Sequence, residues 1–390
     1  MKNKKPNFPE NFYWGTATSA YQVEGGINND WSIQGGKYDA GQACDHYYRY
    51  EKDFDLAKKM NNNAHRFSIE WARIEPEEGK FDQKEIKHYK KVLQALRDRG
   101  LEPFVTIWHW TLPDWLAKRG GLTNKDFSRY FKRYSEKIAE EYKDLVKFWI
   151  VLNEPMVPAG HSYISGEFPP FKKMSIRKFF KAFFNLVKAH KSAYRAIHKL
   201  RTDSKVSISQ MTSYFEPAHK WCLVEILFSK FACLFQNDYF YFLIKDYVDF
   251  IGFSYYHHYR VIWYPPFCKN LNKKRTDMGW EIYPKGIYYI LKHLSKYKKP
   301  IYITENGLAD AKDNRRKKFI VQHLKWVSRA INEGVDVRGY FHWSLIDNFE
   351  WAHGFKPRFG LIKIDYKNNL KRIPRPSSKI YAKICKNNYL

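Results

Sequence analysis

Nowhere in its 390 residues does the chain hold the roughly 20 uninterrupted apolar residues that a membrane-spanning helix needs. The greasiest stretch, Trp221 to Phe253, is broken by Glu225, Lys230, Asp238 and Lys245. Residues Met1 to Phe8 are basic and run straight into Pro6 and Pro9 without an apolar core, so no secretory leader is expected. Cysteine is scarce. Cys44, Cys222, Cys233, Cys268 and Cys385 are odd in number and form no CxxC pair, which points to free thiols in a reducing, cytoplasmic compartment rather than a disulfide framework. No Ser/Gly/Pro-rich linker and no shift of composition divides the chain, so residues 1–390 are read as a single domain. Acidic side chains are the minority: 40 Asp and Glu face 68 Lys and Arg, a formal charge of +28. The basic residues are dispersed, with no recognition helix, zinc spacing or RNA-binding signature beside them. A solvated basic surface, sticky to anions but without a specific nucleic-acid partner, is the expectation.

Aromatic residues are abundant: 13 Trp, 29 Tyr and 29 Phe. They suit a large core, and their faces suit the C–H faces of a sugar ring. Short apolar runs alternate with longer amphipathic ones along the whole chain. Eight strands are predicted at Phe12–Ser19, Ala64–Glu70, Glu102–Trp108, Val146–Asn153, Lys205–Met211, Asp249–Tyr256, Pro300–Asn306 and Val337–Ser344. Between them, Ile86, Tyr89, Val92, Leu93 and Leu96 recur at helical spacing before Gly100. Asn124–Tyr142, Ser175–Leu200, Tyr283–Lys296 and Asp313–Glu333 read the same way, and Phe267–Asp277 reads as a loop. Alternation of this kind implies parallel pairing with right-handed crossovers. No glycine-rich phosphate fingerprint follows the first strand, which disfavours an open nucleotide-binding sheet. The expected fold is therefore α/β, a single (β/α)8 TIM barrel with its active site at the C-terminal ends of the strands.

Those strand ends carry an unusual set of residues: Gln22, Arg66, Glu70, His109, Asn153, Glu154, Tyr256, Glu305, Asn306, Trp343, Glu350 and Trp351. Buried carboxylates without partners are costly, so packing alone accounts poorly for them. Glu154 ends strand four and Glu305 ends strand seven, on opposite sides of a closed barrel. Two carboxyl groups so opposed are what glycoside hydrolysis requires, and a separation of ~5–5.5 Å gives the retaining mechanism. No cofactor or metal is implied, since His and Cys show no ligand spacing.

The segments Phe12–Gly25, Arg66–Pro76, His109–Pro113, Asn153-Glu154-Pro155, Ile303–Gly307 and Gly339–Leu361 resemble glycoside hydrolase family 1, the β-glucosidase/β-galactosidase family, in order and along nearly the whole chain. The resemblance implies a retaining exo-β-glycosidase acting on terminal β-D-glucosides or β-D-galactosides, with fucosides also open. It implies Glu154 as general acid/base and Glu305 as nucleophile. Gln22, His109, Asn153, Glu350 and Trp351 would hold the sugar hydroxyls, Trp343 would lie beneath the ring, and Arg66 and Tyr256 would contact the nucleophile. The partner is a small β-glycoside or oligosaccharide; the alternative is a catalytically weak sugar-binding protein on the same fold, which retention of both glutamates disfavours.

Two departures stand out. The family's Asn-Tyr-Tyr reads Ser254-Tyr255-Tyr256 here, which removes an expected hydrogen bond near the nucleophile. The chain is also short between Glu154 and Glu305, so the aglycone side is expected to be open. Glu350 is retained where members that cleave 6-phosphorylated sugars have a small polar residue, so neutral glycosides are expected. Glu70 reads equally well as half of a structural ion pair and is left out of the site. The Phe-rich stretches Phe179–Leu186 and Leu223–Phe235 read as outer-ring helices with core-facing aromatics, ahead of a membrane-docking face.

Overall fold

The computed structural model describes residues 8–269 and 272–390. The remaining residues, which include most of the stretch read for a leader and part of the predicted loop, lie outside that description. Eight parallel strands close on themselves. They are β1 (Tyr13–Ala17), β2 (Ala64–Ser68), β3 (Glu102–Trp108), β4 (Phe148–Asn153), β5 (Lys205–Pro217), β6 (Ile251–Val261), β7 (Ile301–Gly307) and β8 (Val337–Trp343). Closure runs through β1 and β8, paired from Tyr13↔Gly339 to Ala17↔Trp343.

Both faces of each strand are covered, as parallel pairing requires, so the strands read as near-continuous apolar runs. On β4, Phe148 and Ile150 point into the barrel while Trp149 and Val151 pack against the helices. The barrel interior below the site is an aromatic plug. Phe104 and Phe148 stack at 4.2 Å, Phe341 lies 4.7 Å from Phe104, and Phe250 meets Tyr302 at 5.1 Å. Gly15 makes room for it: a Cβ there would fall 2.4 Å from the Phe341 ring. This packed floor fixes the mouth above it.

The helices between strands include α1 (His46–Lys59), α2 (Gln83–Asp98), α3 (Phe127–Tyr142), α4 (Ile176–Leu200), α5 (Leu223–Cys233), α6 (Lys285–Leu294) and α7 (Arg316–Asn332), and α8 (Pro376–Asn387) follows the last strand. In α2 the five residues singled out by their spacing are all buried. Asp82 caps it by accepting from the Lys84 and Glu85 amides, and Gly100 leaves it with φ +63°.

Three features differ from expectation. Strands β5 and β6 run on to Pro217 and Val261, because beyond the barrel rim they continue to pair with each other. An antiparallel hairpin, Ile362–Asp365 with Lys371–Pro374, follows β8. The third is α5. In α4 Phe179 and Phe183 face the core as expected, while Phe180 and Phe184 turn outward, 39% and 41% exposed. Helix α5 is inverted instead: Glu225 and Ser229 are buried, while Leu223, Leu227 and Phe231 are 74%, 64% and 67% exposed. Glu225 anchors the polar side inward by accepting from the His219 amide (2.7 Å) and its Nδ1 (3.0 Å). Among the described residues no helix is long and apolar enough to cross a membrane.

Candidate active site

Strand β2 supplies the organising group. Arg66 is 1% exposed. Its Nε donates to Thr106 on β3 (3.1 Å), and its Nη2 donates to Oδ1 of Asn153 on β4 (2.7 Å). On β7, Nη1 donates to the Thr304 carbonyl (3.3 Å) and to Oε1 of Glu305. The other oxygen of Glu305 accepts from the Tyr256 hydroxyl at 2.9 Å. A buried carboxylate is thus met on both oxygens, one of them by a charge-assisted bond.

Glu154, just past β4, sits with φ +41°, an uncommon conformation for a non-glycine residue that its surroundings must hold. Its amide donates to the Ser209 carbonyl, and its Oε1 accepts from Ser254. Burial, then the nearby charge of Glu305, pushes its carboxyl up to about 8. Trp110 and Trp351, also at the mouth, share positive φ values of 80° and 51°.

Asn153 Nδ2 lies 3.0 Å from His109 Nε2. Burial and the Arg66 charge push the imidazole well below its usual range, so it is neutral. With Asn153 donating to Nε2, the proton belongs on Nδ1, which has no hydrogen-bond partner among the described residues. Gln22 donates to the Phe349 carbonyl (2.7 Å), Asn348 (3.1 Å) and Glu350 (3.4 Å), and accepts from Ser19 (2.6 Å). Burial first, then the charge of Glu305, raises Glu350 to about 8. The His109 ring lies nearly parallel to Trp343 and Trp351, each 6.0 Å away.

A cavity of about 140 Å³ is lined by Gln22, His109, Asn153, Glu154, Tyr256, Glu305, Trp343, Glu350 and Trp351. Every sequence-derived site residue except Arg66 therefore reaches it, and Arg66 lies behind it as the support for Glu305 and Asn153. Among the described residues, not one lysine or arginine lines the cavity. Glu70 stays outside. Among the described residues it forms no ion pair, and the expected basic partner is replaced by the Thr111 hydroxyl, 2.9 Å from both its oxygens.

Sequence reasoning missed Trp110, Met211, His257, Met278 and Trp280 in the lining. Trp280 packs on His257 (4.4 Å) and Tyr256 (5.8 Å). A tryptophan directly after Gly279, in the connection that follows β6, was the available signal. Away from the cavity, Cys233, Asp238 and His293 bring ligand atoms within 4.8 Å of one another. Lys296 Nζ, 2.7 Å from Asp238, already supplies a positive charge there.

The model of glycosyl hydrolase family 1 matches residues 4–242 and 231–390. β-Glucosidase A of Thermotoga maritima is 36% identical, covering 98% of this chain and 98% of that protein. The alignment spans 443 positions against 390 residues here, so the relative carries insertions that this chain lacks. A β-galactosidase of Sulfolobus acidocaldarius is 31% identical, covering 98% of this chain and 96% of its own. Among solved structures, the Thermotoga maritima β-glucosidase in complex with glucoimidazole superposes with a TM-score of 0.93 at 36% identity, covering 99% of this chain and 100% of that one. The chain belongs to glycosyl hydrolase family 1 and is a β-glycosidase.

Proposed function

We propose that residues 1–390 form one catalytic unit, a retaining exo-β-glycosidase for neutral glycosides. Its glycones would be terminal β-D-glucosyl or β-D-galactosyl units, with fucosyl units also admitted. One observation carries this reading: two carboxyl groups in one cavity have opposite surroundings. Glu305 meets two donors, while Glu154 is held near 8 and so keeps its proton at neutral pH. An acid beside a poised nucleophile is the division of labour that double displacement needs.

In the first half-reaction Glu154 gives its proton to the glycosidic oxygen as an oxygen of Glu305 bonds to the anomeric carbon. The C–O bond to the aglycone breaks, and the aglycone leaves as a neutral alcohol. Glu305 is now an ester without charge, so one of the causes that hold Glu154 high has gone. Glu154, left as a carboxylate by that proton transfer, is no longer opposed by the Glu305 charge; it takes a proton from water, and the hydroxyl so formed displaces Glu305 from the sugar. His109, Asn153, Gln22, Glu350 and Trp351 would orient the hydroxyls, and Trp343 would support the ring. Arg66 and Tyr256 would hold Glu305 on its attack line.

A cavity without cations favours neutral sugars despite the charge of +28. The glucoimidazole complex of the Thermotoga maritima relative supports a glucosyl-type glycone. The five unpaired cysteines favour a cytoplasmic location.

The test is hydrolysis of aryl β-glucoside, galactoside, fucoside, mannoside and 6-phosphoglucoside, with the anomer of the first sugar released read by NMR. β-Anomer from neutral substrates, lost in Glu305→Ala and crippled in Glu154→Ala, is the expected result. Release of α-anomer would overturn retention. No turnover of any neutral glycoside by folded protein would favour a binding role.

A further inference from the structure

Beside the catalytic cavity lies a second, larger hollow of about 510 Å³. The two share Val157, His161 and Met211 in their walls. Met211 stands on β5, and Val157 and His161 follow Glu154 in the β4–α4 connection. The hollow therefore adjoins the cavity on the acid/base side, where the bond to the aglycone is cut.

Its walls are Met156, Ile164, Ile176, Phe179, Phe180 and Phe235. Among the described residues no Lys, Arg, Asp or Glu lines it, and burial pushes the shared His161 below its usual range. Two further polar side chains are present, and both are engaged. Ser165 Oγ lies 3.1 Å from His161 Nδ1, and Gln236 donates to Ser213 Oγ at 2.9 Å. A second sugar ring placed here would lose water from its hydroxyls and meet few partners, a cost of kilocalories per unpaired group. A hydrocarbon chain has no such cost.

The far end of the hollow does not close. Phe180 lies against Phe184 (6.5 Å) and Phe235 against Phe231 (6.2 Å), with near-parallel rings in both pairs. Phe184 and Phe231 are 41% and 67% exposed. The latter belongs to the outward-facing apolar side of α5, so apolar side chains run from the hollow to the molecular surface.

Resting on the glycosidase reading above, we infer that the hollow is the aglycone subsite for an unbranched hydrocarbon chain, which makes alkyl-chain β-glycosides the preferred substrate class over oligosaccharides. The chain enters past Val157 and Met211, lies between Ile176, Phe179 and Phe235, and continues outward over Phe180. Buried methylenes contribute about 0.8 kcal/mol each, or nearly fourfold in affinity.

The experiment measures kcat/KM for methyl, butyl, hexyl and octyl β-D-glucosides below their micellar concentrations, with cellobiose, cellotriose and an aryl β-glucoside alongside. The expected result is a rise of about fourfold per methylene until the hollow is full, with hexyl and octyl glucosides ahead of both oligosaccharides. Phe180→Asp and Ile176→Asp, both at partly exposed positions, should each lower the octyl-to-methyl ratio at least tenfold. Turnover of aryl and methyl glucosides with a flat alkyl series overturns the subsite alone, as does a preference for cellotriose over octyl glucoside. An unchanged octyl-to-methyl ratio in both variants overturns it too. Failure to turn over even the aryl glucoside overturns the glycosidase reading instead.

Discussion

The hydroxyl of Ser254 donates a hydrogen bond to Oε1 of Glu154. The family has asparagine at this place, and its loss was expected to weaken support near the nucleophile. The serine instead serves the other carboxyl, on the far side of the cavity. A donor to a carboxylate favours its charged form, so Ser254 offsets part of the upward push of burial and of Glu305.

Ser254→Ala should therefore raise the Glu154 pKa further. The alkaline limb of the kcat/KM profile, where Glu154 loses the proton it must give, should move to higher pH. Ser254→Asn should leave that limb nearer to its original place. Profiles between pH 5 and 10 check this, and a downward move for the alanine variant would contradict it.

Arg66→Met should cost both stability and rate. It strands Glu305 without its cation and Asn153 without its donor. Removing one member of a buried ion pair costs about 3–5 kcal/mol, so urea unfolding should show a loss of that order. kcat/KM for an aryl glucoside should fall at least a hundredfold. Arg66→Lys keeps the charge but cannot reach Thr106, Asn153 and Glu305 together, and should recover only part of both.

Glu350→Ser should not create a 6-phosphoglucosidase. The substitution makes space, but the cavity holds no lysine or arginine to meet a phosphate. Activity on neutral glucosides should drop while 6-phosphoglucoside turnover stays at background, measured with the two aryl substrates side by side. Substantial phosphoglucoside activity would show that size alone excludes the phosphate.

Glu70 supplies a test in stability rather than rate. Its burial raises the carboxyl from 4.5 to about 7, against the opposing bond from Thr111. The unfolded chain ionises this group above pH ~4.5, whereas the folded protein keeps the proton until about 7. Stability should thus fall as pH rises through that window, by roughly 3 kcal/mol from this group. Glu70→Gln should flatten the fall seen in denaturant unfolding between pH 4.5 and 7.5 and leave kcat/KM within about twofold.

What the sequence revealed follows from what was periodic or local. The eight strands were legible because each is buried on both faces and reads as an apolar run, and α2 because five apolar residues keep to one stripe. Glu154 and Glu305 were legible because strand ends can be counted. The run-on of β5 and β6 was not, since it depends on two segments about 40 residues apart pairing beyond the rim. Nor was the orientation of α5: a Phe- and Leu-rich helix is ordinarily turned inward, whereas here Glu225, tied to His219, holds the polar side in. Glu70 was misjudged as an ion-pair member because its partner is a hydroxyl on the chain segment after β3.

Arg66 stands on β2 and bonds to side chains or carbonyls on β3, β4 and β7. One guanidinium is both the brace of the nucleophile and a rivet through half of the barrel wall. A barrel that parts at any of those seams loses its grip on Glu305 at the same instant, so a partly opened yet active form has no structural basis. Loss of turnover on heating becomes a direct gauge of whether the wall is still shut.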